Sequence, residues 1–113
     1  MKSILILITL VVSINSFAQT NYVKKYSGAY NIGLDGVEAY ALREDGTCVW
    51  IYGWMSNGKM QTQQKSGTWT AKDGYISISI NGNTGIIVEE YVFKNGRFVN
   101  KEDPSRYLKK RQS

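Results

Sequence analysis

The side chains that could do chemistry in this 113-residue sequence are mainly aromatic and carboxylic, because the chain has no histidine and one cysteine. Without histidine it lacks the commonest general base at neutral pH and the commonest metal ligand. Most familiar hydrolase and zinc-site chemistries are therefore excluded. The sequence also contains no nucleophile elbow, phosphate-cradling glycine loop or metal-ligand cluster. We expect a protein that is not an enzyme and that uses no cofactor or metal.

Aromatic side chains form the most suggestive set of candidate ligand contacts, since their flat faces and polar tips suit a flat apolar or sugar-like ligand. The alternative is that they fill the interior of a small domain, whose core needs its largest side chains for packing. Trp54 is the strongest candidate for exposure, because it lies close to a predicted turn at Asn57-Gly58. The predicted ligand site, which also includes one carboxylate, consists of Tyr40, Trp50, Tyr52, Trp54, Trp69, Tyr91 and Glu89.

Two adjacent carboxylates, Glu89 and Glu90, lie in a segment that is predicted to be a strand. Neighbouring strand residues point to opposite faces, so the two cannot act on each other as an acid and base couple. One of them must share an apolar face, where we expect it to pair with Arg43 or Arg97 or to lie near an open end. Which of the two points inward is left open by the sequence.

The single cysteine, Cys48, cannot form a disulfide within the chain. It could be a reactive thiol or an intermolecular bridge, but no histidine or other evident base is available to activate it. We expect a small, buried core residue.

Asp-Gly and Asn-Gly pairs recur along the chain, and this dipeptide is the strongest short-range signal for a hairpin turn. The pairs are Asp35-Gly36, Asp45-Gly46, Asn57-Gly58, Asp73-Gly74, Asn81-Gly82 and Asn95-Gly96. A further turn is predicted at Lys101-Glu102-Asp103-Pro104. The intervening segments are rich in β-branched and aromatic residues and predict strands at Ala29–Ile32, Val37–Arg43, Thr47–Met55, Gly67–Ala71, Tyr75–Ile80, Gly85–Phe93, Arg97–Val99 and Ser105–Arg111.

Eight strands joined by tight turns predict an all-β, antiparallel up-and-down meander. Closing the meander into a small barrel removes both exposed edges, and the alternative is an open sheet that pairs with a second copy across a dimer. The alternating segment Tyr75–Ile80 places Ile76, Ile78 and Ile80 in the core. At Asp45-Gly46, a three-residue loop would place Tyr40 and Leu42 beside Cys48, Trp50 and Tyr52, whereas a two-residue loop would place them beside Val49 and Ile51. We favour the three-residue loop because it gathers the larger aromatic side chains inside.

The first eighteen residues have the pattern of a secretory signal peptide: Lys2, an apolar run over residues 4–12, and Ser16-Phe17-Ala18 before the cleavage point. We therefore predict a cleaved segment at 1–18 and one domain at 19–113, exported to the periplasm or the extracellular space and without a membrane span after cleavage. The net charge of +5 resides largely in Lys2 and in a short basic tail, residues 106–113. Residues 19–105 are electrically balanced, which argues against a nucleic-acid partner.

The chain resembles the small exported bacterial barrels of the lipocalin-like (calycin-type) group. The resemblance rests on Ser27-Gly28-Ala29-Tyr30, on Leu42-Arg43-Glu44-Asp45-Gly46-Thr47, on Ser66-Gly67-Thr68-Trp69 and on Asn95-Gly96-Arg97-Phe98 before Tyr107. It implies an up-and-down barrel that binds small apolar molecules or partner proteins. The chain departs from typical lipocalins because it is shorter and lacks paired cysteines and a C-terminal helix.

These observations favour a non-enzymatic barrel that binds a small apolar or aromatic ligand at its mouth. The alternative is a protein-interaction module of the cell envelope, either an assembly factor or an inhibitor of an extracellular enzyme, with a filled barrel. That alternative predicts an exposed aromatic patch or a self-paired sheet edge.

Overall fold

A computed structural model describes residues 21–33 and 37–111 as one closed β-barrel. Its strands are β1 (Gly28–Ile32), β2 (Glu38–Leu42), β3 (Thr47–Ser56), β4 (Lys59–Lys72), β5 (Tyr75–Gly82), β6 (Gly85–Lys94), β7 (Arg97–Asn100) and β8 (Tyr107–Lys110). Each strand pairs antiparallel with its neighbour, and β8 closes the barrel on β1. The predicted closed meander is confirmed, and the open sheet is not formed.

One short helix, α1, spans residues 21–26 ahead of β1. Among the described residues, no helix has both the length and the apolar character needed to cross a bilayer. The predicted signal peptide at residues 1–18 and the Asp35-Gly36 turn lie outside the described residues.

The hairpin at Asp45-Gly46 has the three-residue loop that the sequence favours. Gly46 adopts a φ of 88°, its backbone N–H donates to the Arg43 carbonyl at 3.1 Å, and the Arg43 N–H donates to the Thr47 carbonyl at 2.9 Å. This loop places Leu42 opposite Cys48 and Tyr40 opposite Trp50. The prediction that the larger aromatic residues share the inner face is confirmed for Tyr40 and Trp50.

One turn prediction differs from the structure. Asn57-Gly58 and Asn95-Gly96 form turns with positive φ at both residues, as expected. Asn81-Gly82, in contrast, lies within β5, and the turn follows at Asn83-Thr84, with Gly82 paired to Gly85. The prediction at this pair is wrong by two residues, because the hydrogen-bonded ladder with β6 continues through Gly82.

Strand β4 begins eight residues earlier than predicted, at Lys59 instead of Gly67. The added segment, residues 59–66, is almost entirely polar and exposed, so no alternation of apolar residues marks it. It is a strand because each of its residues pairs with one on β3, from Ser56 opposite Lys59 to Val49 opposite Ser66.

The barrel has a closed end and a mouth end. The closed end carries the turns at residues 43–46, 73–74 and 95–96, and α1 covers it: the Gly74 N–H donates to the Tyr26 hydroxyl at 3.1 Å. The mouth end carries the turns at residues 57–58 and 83–84 and the β7–β8 connection at residues 101–106. Inward side chains fill the space between, with Leu42, Ile76, Ile78 and Tyr91 at 2% exposure or less.

Cys48 lies in this core with 1% of its surface exposed, which agrees with the predicted core role. Burial raises the pKa of its thiol to about 11, so little thiolate forms at neutral pH. We expect native protein at pH 8 to resist a disulfide reagent such as dithionitrobenzoate, and unfolded protein in guanidinium to react fully. The absorbance of released thionitrobenzoate measures both states, and rapid labelling of the native state would contradict the buried position.

Candidate functional site

The β3–β4 hairpin projects beyond the barrel as a two-stranded arm, here defined as residues 54–61. Strand β3 pairs with β2 only as far as Tyr52, and β4 pairs with β5 only from Gly67 onward. The two strands continue to pair with each other up to Ser56 opposite Lys59. The arm therefore rises from the mouth end with no other strand beside it.

Three aromatic rings form a ladder along one face of β3, from the barrel to the arm. Trp50, Tyr52 and Trp54 are spaced two residues apart, so they share a face. The ring centroids of Trp50 and Tyr52 are 5.8 Å apart with 7° between their planes, and those of Tyr52 and Trp54 are 5.8 Å apart with 26°. Tyr52 is 37% exposed and Trp54 is 39% exposed. We call these three residues the aromatic ladder.

Polar side chains from β4 accompany the aromatic ladder. Trp50, Tyr52 and Trp54 lie directly opposite Lys65, Gln63 and Gln61, respectively. The Lys65 ammonium lies 5.6 Å from the centre of the Trp50 ring, within the range of a cation–π contact. The face thus offers flat apolar rings together with hydrogen-bonding side chains.

At the base of the aromatic ladder, the Arg106 guanidinium lies between two carboxylates. Its Nη1 and Nη2 donate to Oε1 and Oε2 of Glu38 at 2.9 Å each. Its Nε and Nη2 donate to Oε2 and Oε1 of Glu89 at 3.0 and 3.1 Å. The side chains are only 28%, 18% and 18% exposed for Arg106, Glu38 and Glu89. Bidentate pairs of this kind fix the geometry of all three groups.

The β7–β8 connection holds Arg106 over the mouth. The Asn100 side-chain oxygen accepts hydrogen bonds from the backbone N–H groups of Glu102 and Asp103 at 2.9 and 3.0 Å. The Arg106 N–H donates to the Asp103 carbonyl at 3.0 Å, and the Asn100 N–H donates to the Arg106 carbonyl at 2.9 Å. These bonds close a compact turn that directs the guanidinium inward.

Neighbouring aromatic groups complete the hydrogen bonding of both carboxylates. The hydroxyls of Tyr40 and Tyr91 donate to Glu89 Oε1 at 2.6 and 2.8 Å, and Trp50 Nε1 donates to Glu38 Oε2 at 2.6 Å. Burial, together with the adjacent Glu89, raises the pKa of Tyr40 and of Tyr91 far above the ordinary range. Both phenols are therefore hydrogen-bond donors at every physiological pH.

A cavity of about 140 Å³ opens beside this network at the mouth. It has the size of one ring, well below the several hundred Å³ of a site for a drug-sized ligand. Its lining combines the aromatic and charged groups above with two isoleucines: Glu38, Tyr40, Trp50, Lys65, Ile80, Ile87, Glu89 and Arg106.

The structure brings together most of the predicted site residues at the mouth end. Tyr40, Trp50 and Glu89 line the cavity, Tyr91 lies beneath it, and Tyr52 and Trp54 follow on the ladder. Trp69 is the exception to this grouping. It is buried at the closed end, where its Nε1 donates to the Arg43 carbonyl at 2.8 Å.

Glu89 is the inward carboxylate, whereas Glu90 faces outward, where it pairs with Lys101 and accepts from the Tyr75 hydroxyl. The prediction that Arg43 or Arg97 pairs with this carboxylate is wrong, because Arg106 pairs with Glu89. The other expectation, a position near an open end of the barrel, agrees with the place of Glu89 at the mouth. From the sequence, Arg106 is counted in the basic tail, but its guanidinium lies at the mouth between two carboxylates. Residues 107–110 form the closing strand, which lies within the predicted strand Ser105–Arg111. Its position two residues before the apolar Leu108 is the alternation signal that could have placed it inward.

Glu38 makes the stability of the barrel sensitive to acid. Burial raises the pKa of its carboxyl, but hydrogen bonds from Arg106 and Trp50 outweigh that effect and lower the pKa below its ordinary value. A lowered folded-state pKa stabilises the fold above the ordinary pKa of glutamate, and this stabilisation is lost as the pH falls through the folded-state value.

We therefore expect the free energy of unfolding to fall between about pH 5 and pH 3, and to fall less in Glu38→Gln. Urea unfolding at several pH values measures this slope. The matched control is Glu44→Gln, which removes an exposed carboxylate from a turn. If Glu38→Gln retains the full acid slope of the unmodified protein, the assigned role of Glu38 is wrong.

Within residues 21–33 and 37–111, no group of three or more Cys, Asp and Glu is arranged to hold a metal ion. Comparison with protein-family models, with curated proteins and with solved structures finds no match for this chain.

Proposed function

We propose that this protein is a non-enzymatic binding protein whose ligand is a small apolar or aromatic molecule held at the barrel mouth. The observation that carries the proposal is the continuity of the aromatic ladder with the mouth cavity through Trp50. This residue is both the first rung of the ladder and a wall of the cavity. A flat ligand can thus enter the cavity with one ring and lie along Tyr52 and Trp54 with the remainder.

The size of the cavity supports a ligand that places one ring inside the cavity and the rest of the molecule outside it. About 140 Å³ accommodates one ring-sized group, and the neighbouring ladder supplies apolar surface that stays exposed without a ligand. Tyrosine and tryptophan provide such surface at a low entropic cost, because each has only two side-chain torsions. Gln61 and Gln63 opposite the ladder can donate to and accept from polar substituents on the ligand.

The hydrogen bonds that Glu38 and Glu89 accept at the mouth support binding instead of catalysis. Both oxygens of Glu38 and both oxygens of Glu89 accept hydrogen bonds from protein groups. A general base needs a carboxylate oxygen that can reach a substrate proton. In this mouth the carboxylates instead hold Arg106 and the two tyrosines in fixed positions.

Export to the periplasm or the extracellular space, and kinship with the lipocalin-like barrels, belong to the same proposal. The closed eight-strand meander with a short helix at one end is compatible with that group. The apolar run at residues 4–12 of the sequence supports export.

Calorimetric titration with 2-naphthol, a two-ring aromatic alcohol, tests the proposal. We expect saturable one-to-one binding and an affinity about tenfold lower for Trp54→Ala, because a ring contact is removed. Met55→Ala is the matched control, since Met55 is 62% exposed on the opposite face of the same arm. Absence of saturable binding by naphthols and similar aromatic alcohols, or equal effects of the two substitutions, would overturn the proposal.

A protein-interaction module is the second candidate, and the arm tip favours it. Met55 and Met60 lie directly opposite each other there and are 62% and 64% exposed. On the outer face of β6, Ile86 and Val88 are 71% and 54% exposed. Exposed methionine and aliphatic surface is characteristic of protein contacts. This candidate predicts that Met60→Lys abolishes capture of an envelope or extracellular protein while 2-naphthol binding persists.

A further inference from the structure

We infer that the barrel carries a second binding site, at its closed end, for a single-chain amphiphilic anion such as a long-chain carboxylate. The site is a cleft of about 530 Å³ between the start of β7 and the end of β8. It lies at the opposite end of the barrel from the mouth cavity, and it does not depend on the function proposed for the mouth.

The cleft exists because two neighbouring strands separate. Strands β7 and β8 pair at only two positions, Val99 opposite Tyr107 and Phe98 opposite Leu108. Beyond Leu108, β8 continues to Lys110 and pairs only with β1, where Tyr30 is opposite Lys110. The start of β7 turns instead toward β6, with Arg97 opposite Lys94. The gap between the two strands opens into the core.

The floor and walls of the cleft are apolar. Tyr30, Phe98 and Leu108 form the floor and are 5%, 7% and 3% exposed. Tyr26 from α1 contacts Phe98, with ring centroids 4.9 Å apart at an angle of 72°. Phe93 extends this surface outward and is 56% exposed. A volume of this size is within the usual range of small-molecule sites, and its apolar area suits a hydrocarbon chain.

The rim of the cleft is positively charged. It carries Lys25, Arg97, Lys109 and Lys110, and none of the described residues that line it is acidic. Within the described part of the chain, none of these four groups takes part in an ion pair. Three of them lie over aromatic rings, with Arg97 4.0 Å from the centre of Tyr107. These contacts leave the charges available to an anion.

Together, the floor and the rim specify the ligand. An apolar floor alone would take any hydrophobic molecule, whereas several cations around its opening favour a molecule whose polar end is anionic. The cleft is concave and penetrates to buried residues, so it fits the chain of one free molecule better than the flat surface of a bilayer. A carboxylate at the rim with its hydrocarbon chain over Phe98 satisfies both parts of the site.

Calorimetric titration with dodecanoate below its micelle concentration tests this inference. We expect saturable one-to-one binding, with dodecanol and dodecyltrimethylammonium each bound at least about tenfold more weakly because they lack the negative charge. The exposed rim substitutions Lys25→Glu and Arg97→Glu should each weaken dodecanoate binding by about tenfold. Lys72→Glu is the matched control, because Lys72 also lies over a tyrosine ring, that of Tyr75, but outside the cleft.

Two further measurements show where the ligand binds and whether it is a free molecule or a membrane lipid. Amide resonances of Gly96 and Leu108 should shift on titration, and the indole resonances of Trp50 and Trp54 should not. No binding of dodecanoate, equal binding of dodecanol, or equal effects of the rim and control substitutions would overturn the inference. It would equally be overturned if phosphatidylglycerol vesicles retained the protein while free dodecanoate did not bind.

Discussion

Replacing Arg106 with methionine should destabilise the barrel by about 3 kcal/mol or more. The guanidinium donates two hydrogen bonds to Glu38 and two to Glu89, and all three side chains are largely buried. Methionine fills much of the same volume but leaves two carboxylates close together without a cation. Removal of one partner from such a network is costly, because a buried charge is left uncompensated.

Urea unfolding of Arg106→Met at pH 7 measures this loss. Lys101→Met is the control, because Lys101 pairs with Glu90 at 3.4 Å with side chains 55% and 40% exposed. An exposed pair contributes at most about 1 kcal/mol. Adding Glu38→Gln and Glu89→Gln to Arg106→Met should recover part of the stability, since the uncompensated charges are then removed. Equal small losses for Arg106→Met and Lys101→Met would contradict the buried network.

The substitution Gly67→Ala, which adds one methyl group, should destabilise the protein by at least about 3 kcal/mol. This loss is larger than the usual cost of overpacking a core whose side chains can move aside. Gly67 lies where β4 leaves β5 and continues toward the arm, opposite Ile80. A Cβ at this position would overlap the carbonyl oxygen of Ser79 and come within 2.9 Å of the carbonyl carbon and 3.0 Å of the Ile80 Cα. Because these are backbone atoms, two strands must move apart to relieve the contact.

Gly53→Ala is the matched control for Gly67→Ala. Gly53 lies on the same hairpin, and the nearest atom to its added Cβ is the flexible Met60 sulfur at 3.4 Å. Thermal unfolding followed by circular dichroism compares the two variants directly. We expect a large loss of Tm only for Gly67→Ala, and a comparable Tm for both variants would show that β4 and β5 do not approach closely at this point.

The strand order and most of the turns could be predicted because they depend on local chemistry. Turns at Asn57-Gly58 and Asn95-Gly96 require positive φ, which asparagine and glycine tolerate, and the alternation in Tyr75–Ile80 places Ile76 and Ile78 inward. The first half of β4 could not be predicted in this way. It is stabilised by pairing with β3 beyond the barrel, so its polar residues have no apolar face to alternate with.

The candidate site was only partly predictable, since its centre depends on long-range contacts. The aromatic side chains Tyr40, Trp50 and Tyr91 stand out in the sequence by type alone. Arg106 does not stand out in this way, because in the sequence it lies 17 residues after Glu89 and 68 residues after Glu38. Only closure of the barrel brings these three residues together, and local patterns contain no information about that juxtaposition.

The indole N–H resonances of the three tryptophans test the central claim most directly, because each one reports on a different place. Trp50 lines the mouth cavity, Trp54 ends the aromatic ladder, and Trp69 lies at the closed end. In a titration of ¹⁵N-labelled protein with 2-naphthol, the account predicts saturable shifts of the Trp50 and Trp54 resonances while that of Trp69 stays in place. Unchanged Trp50 and Trp54 resonances at saturating ligand, or a shift of the Trp69 resonance alone, would contradict it.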